Sequence, residues 1–103
     1  MNNEFQVSKE GNELTIVLPE QVTTANAPQL MEAINNYKNQ GVEKVVFDAS
    51  CMTYIASSGI RTVIFAKQKL GGSPVIEFVN CSAEIKGVFE MTGLQSYIQF
   101  VNK

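Results

Sequence analysis

Between Ala56 and Gly59 the chain reads Ala-Ser-Ser-Gly, directly ahead of a run whose apolar residues, Ile60, Val63, Ile64, Ala66 and Leu70, fall at helical spacing. Hydroxyls at such a junction have three uses. They cap the helix, they help its free amides and dipole hold an anion, or they accept a phosphoryl group. Capping alone is worth ~1 kcal/mol and requires nothing further. The remaining residues restrict the chemistry. The chain has no histidine, which removes Ser–His and Cys–His nucleophiles and most zinc sites. No carboxylate pair has acid–base spacing, and neither GxGxxG nor GxxxxGK[ST] occurs, so a phosphate- or nucleotide-binding protein is the weaker reading of the helix start. The expectation is a protein that is not an enzyme and carries no metal and no cofactor.

The composition agrees with one small domain. With 103 residues, 45% hydrophobic and 17% charged, the chain suits one domain, 1–103, with its own core. A net charge of −2 offers no basic stripe for nucleic acid. Cys51 and Cys81 form neither a CxxC motif nor a disulfide framework, and are expected to be reduced, partly buried core thiols. MNNEFQVSKEG has no signal-peptide pattern, and no apolar run approaches the ~18 residues of a membrane span. A cytoplasmic protein without membrane insertion is expected.

The elements that must position the serines are legible from periodicity. Residues 4–9 and 13–18 alternate partially around Glu10-Gly11-Asn12, which predicts a hairpin ended by Pro19. Ala27, Leu30, Met31, Ile34 and Tyr37 predict a helix over 24–39, capped by Thr24 or Asn26 and ended by Gly41. Lys44–Asp48 reads as a central strand, apolar on both faces. The serine helix follows, broken by Gly71-Gly72-Ser73-Pro74. Val75–Val79 reads as a strand, and Ser82 caps a third helix with Ile85, Val88 and Phe89 inward and Gly93 at its end. Tyr97–Val101 reads as a closing strand or docked tail. The order predicts an α/β fold: a mixed four- to five-stranded sheet with an N-terminal hairpin and three or more helices. On a helical wheel Phe65 lies opposite the apolar face beside Arg61, Thr62 and Lys69, a placement suited to a partner anchor. Lys67 is expected to snorkel.

Three segments, ANAPQL, VVFDAS…YIASSGIRTVI and SAEIKGVFEMTGL, in this order resemble the STAS family, the domain of anti-sigma factor antagonists, over residues 4–101. The resemblance implies a STAS-like single domain acting as a phosphorylation-switched binding module. Its implied partner is an anti-sigma factor that is also a serine kinase, so that binding frees a sigma factor, and a PP2C-type phosphatase is possible. The implied phosphoacceptor is Ser57, with Ser58 as second choice. The partner-binding set becomes Thr23, Thr24, Ala56, Ser57, Ser58, Gly59, Arg61, Thr62 and Phe65. Two family aspartates are replaced here, by Ala56 and Thr23, which leaves a neutral, hydroxyl-rich pocket and makes less remote a runner-up role as the non-phosphorylated STAS accessory subunit of a membrane transporter. A monomer is expected, because no large apolar stripe remains once the core is assigned.

Overall fold

The computed structural model describes residues 5–70 and 74–103. Strands β1 (Gln6–Glu10) and β2 (Glu13–Val17) pair antiparallel with Glu10 opposite Glu13, so Gly11 and Asn12 alone make the turn. Gly11 sits at φ +59°, which suits glycine in a two-residue hairpin. Strand β2 then pairs parallel with β4 (Lys44–Asp48), β4 with β6 (Val75–Val79), and β6 with β7 (Gln99–Val101), giving the order β1-β2-β4-β6-β7. The predicted mixed sheet is therefore present with five strands, and the closing run is a strand, although Tyr97 falls in the short 3₁₀ turn before it. Glu4, placed in the first strand by the sequence, lies outside the described residues.

A helix joins each parallel pair: α1 (Ala27–Asn35), α2 (Ser57–Lys69) and α3 (Ala83–Thr92). The strands are added in one direction, so right-handed crossovers put all three helices on one side of the sheet. The alternation of the strands matches this. Ile16, Phe47, Phe78 and Phe100 stand in register across the sheet on the helix side. Against them pack Leu30 and Ile34 of α1, Ile60, Val63 and Ala66 of α2, and Ile85 and Phe89 of α3. Phe78 is central, with ring centroids of Phe47 at 5.4 Å and Phe89 at 5.1 Å. Burying each such side chain contributes ~1.5–3 kcal/mol, which makes this row the main support of the fold.

Several expectations are corrected. Helix α1 stops at Asn35 rather than 39; the asparagines Asn35 and Asn36 are weak helix formers, and Asn39 turns the chain at φ +67° before Gly41 does so at +70°. Met31 is exposed, and Ala33 takes the inward place beside Ile34. Cys51 is exposed on the loop after β4, whereas Cys81 is half-buried and burial pushes its thiol pKa up. Lys67 does not simply run out to water: it is half-buried, and its Nζ donates to the Pro74 carbonyl at 3.1 Å. The breaker segment Gly71-Gly72-Ser73 lies outside the described residues; α2 ends at Lys69, with Leu70 as its last capping residue.

Candidate functional site

Two strands of two residues each, unforeseen in the sequence, build the site. Strand β3 (Gln21–Val22) pairs parallel with β5 (Tyr54–Ile55), and each leads directly into a helix: β3 toward α1, β5 into α2. The pairing extends at both ends, with the Thr53 amide donating to Glu20 O at 2.7 Å and the Ala56 amide to Val22 O at 2.8 Å. The N-termini of α1 and α2 are thereby held side by side. Both are positive dipole ends.

On the α1 side, buried Asn26 occupies the capping position but does not cap. Its Oδ1 accepts the Thr23 amide at 2.7 Å and its Nδ2 donates to Gln21 O at 2.9 Å. This ties the 21–26 turn into one shape and presents Thr24 outward. The Thr23 hydroxyl accepts the Ala25 amide at 3.2 Å. A shallow cleft of about 530 Å³ opens here, lined by Pro19, Glu20, Thr23, Ala25 and Gln29 among others. The sequence reading took Asn26 only as a possible cap; its bridging role depends on β3 and had no local signal.

On the α2 side, the residue before the helix is Ala56, which has no side chain to cap with. The amides of Ser57 and Ser58 consequently have no acceptor among the described residues. Ser57 is exposed at the first helical position, and Ser58 is half-exposed with its hydroxyl donating to Thr24 Oγ1 at 3.4 Å. No acidic residue stands in the first turn of α2, while Arg61 is exposed one turn on. An uncapped, cation-flanked helix end favours negative charge.

Gly59 is buried because α2 rests on the small sheet at this point. A Cβ there would stand 2.7 Å from Val22 Cγ1 and 2.9 Å from Ile55 Cγ1. Thr62 is also buried, its hydroxyl donating to Ser58 O at 2.8 Å. Both were expected in the partner-binding set, and Thr62 on the exposed side of the wheel. They lie under the surface and shape it instead. Phe65 is half-buried rather than opposite the core: it lies in a groove between α1 and α2 with Pro28, Met31 and Lys69, whose Nζ is 5.6 Å from the ring centroid. Thus Thr23, Thr24, Ala56, Ser57, Ser58 and Arg61 come together around the two helix ends. Phe65 stands two turns further along α2, and Tyr54 is half-exposed in β5 three positions ahead of Ser57.

Among the described residues no group of three or more His, Cys, Asp or Glu could hold a metal ion, and no helix is long and apolar enough to cross a membrane.

The sequence pattern of the STAS domain family matches residues 4–103. A protein of Bordetella bronchiseptica named as anti-sigma factor antagonist BtrV is 30% identical over 82 residues, covering 79% of this chain and 71% of that protein. The fold is similar to the anti-sigma factor antagonist SpoIIAA in its unphosphorylated form, with a TM-score of 0.81, 19% identity, and coverage of 93% of this chain and 86% of that one. The Bacillus cell-fate determinant SpoIIAA in its phosphorylated form is similar at a TM-score of 0.72 and 19% identity, over 93% and 89% of the two chains.

Proposed function

Because the chain belongs to the STAS domain family, we propose that it is a cytoplasmic anti-sigma factor antagonist switched by phosphorylation of Ser57. In its free form the patch around the N-termini of α1 and α2 binds an anti-sigma factor that is also a serine kinase, and the sigma factor is released. The kinase transfers the γ-phosphoryl group of ATP to Ser57 Oγ; the hydroxyl proton is lost and ADP leaves. A phosphatase reverses the step by hydrolysis, which returns the serine and inorganic phosphate.

The observation that carries this reading is the exposed Ser57 hydroxyl on an uncapped helix N-terminus. A phosphate there brings about −1.5 to −2 charges and three acceptor oxygens. The unsatisfied amides and the dipole of α2 accommodate that charge within this chain, and the absence of carboxylates at positions 23 and 56 removes a source of repulsion. A partner docked over the patch meets the same charge as desolvation and repulsion, and is released. Ser58 is the weaker acceptor, since its hydroxyl is already engaged with Thr24. SpoIIAA, a relative in fold, is known in both unphosphorylated and phosphorylated forms.

Pull-down from native extract with phosphoprotein mass spectrometry tests the proposal. The expected result is one kinase-type partner and phosphate on Ser57 that Ser57→Ala abolishes and Ser58→Ala leaves. Full phosphorylation of the Ser57→Ala protein would overturn the assignment.

A further inference from the structure

The helices leave the other side of the sheet uncovered among the described residues. Alternation along the strands puts Val17, Val46, Val75, Val79 and Val101 on that side, opposite the core residues that flank them. Strands in parallel pairing are ordinarily covered on both faces; here Val75 is 40% exposed and Val17 and Val101 are half-buried, while Val46 and Val79 at the centre are already buried by their neighbours. In the middle of this face stands Glu77, between the core-facing Ile76 and Phe78, and only 9% exposed. Its Oε2 accepts from Lys44 Nζ at 3.0 Å, and Lys44 also lies 3.8 Å from Glu13. That pairing holds the Lys44 ammonium above its usual pKa. Glu77 Oε1 is buried with no hydrogen-bond partner among the described residues. A buried carboxylate oxygen without a donor is costly, and replacing it with an apolar group would remove the cost.

The charges on the face indicate what would satisfy it. Among the described strand residues that point to this face, Glu10, Glu13, Asp48 and Glu77 stand against one cation, Lys44. A second copy laid face to face would set carboxylates against carboxylates. A cationic segment complements them. We infer that the helix-free sheet face is a second docking surface, which takes a basic amphipathic segment of another protein, its apolar residues on the accessible parts of Val17, Val75 and Val101 and an arginine or lysine donating to Glu77. This surface is separate from the serine patch, and its occupation does not depend on the state of Ser57.

The test is an amide-resolved NMR titration of the full chain with a synthetic leucine–arginine amphipathic helix of 18 residues, and with its leucine–glutamate counterpart. The expected result is that shifts concentrate on β4 and β6 with the basic peptide and are absent with the acidic one. Glu77→Gln should weaken binding ~10-fold and Glu10→Gln, at the rim, less than ~3-fold. Val75→Lys, at an exposed position that tolerates the change, should weaken binding ~10-fold through like charge even if Glu77→Gln proves poorly folded. Ser57→Asp should leave this binding unchanged, which separates it from the serine switch. Shifts spread over every acidic surface, equal binding by Glu77→Gln and Val75→Lys, or peptide-independent dimerisation through this face would each overturn the inference.

Discussion

Helices α2 and α3 both begin at serines that follow a strand, yet the two starts use them differently. Ser82 stands one residue before α3 with an extended backbone, and its Oγ accepts the Ile85 amide at 3.2 Å. It is a structural cap, and its hydroxyl is consumed by its own helix. In α2 that position belongs to Ala56, and the serines are shifted to the first and second helical positions, where no side-chain cap bond forms. One residue of offset thus separates a hydroxyl that stabilises the fold from one left available to another molecule. Burial reinforces the contrast: Cys81 before α3 is half-buried, while Cys51 on the approach to α2 is exposed.

The comparison can be broken or sharpened by mutation. The largest effect on the fold is expected from Gly59→Val, because even a Cβ meets Val22 at 2.7 Å. It should cost about 3 kcal/mol, the upper end for overpacking, in a denaturant titration. A loss below ~1 kcal/mol would show that α2 is not seated on β3 and β5 as described. Next, Ser57→Asp should lower affinity for the anti-sigma partner by about 30-fold, equivalent to about 2 kcal/mol, measured by calorimetry. The same change at Ser82 should leave that affinity intact. Third, Ser82→Ala should cost about 1 kcal/mol of stability, whereas Ser57→Ala should stay within ~0.5 kcal/mol. Equal losses would mean that both serines are caps after all. Smallest is a kinetic difference: a thiol reagent in slight excess at neutral pH should label Cys51 before Cys81, whose thiol is shielded and has its pKa pushed up by burial. The reverse order, read by peptide mapping, would contradict the burial at the α3 start.

Much of the frame was legible beforehand because it follows from local rules. Alternation located β1 and β2, the 3-and-4 spacing of Ile60, Val63 and Ala66 located α2, and Ser82 and Gly93 marked both ends of α3. The errors share a cause. Strands of two residues such as β3 and β5 are too short to show a period, so the platform beneath the site was invisible. Thr62 and Phe65 were misplaced because a helical wheel knows one apolar face. Here α2 also packs along α1, which buries Thr62 and half-covers Phe65.

From its residue order alone this chain determined its alternation of strands and helices, its lack of histidine-based chemistry and the gathering of hydroxyls at one helix start. Those properties reside in neighbours along the chain, whose spacing and torsional preferences act before any folding. Tertiary structure alone decided that Thr24 meets Ser58 across 34 positions, that Ala56 leaves the first amides of α2 without a side-chain cap, and that Glu77, among the described residues, stands half-satisfied on the sheet face away from the helices. Each of these depends on which distant backbone pairs with which, and that is settled by burying the shared core rather than by any local preference.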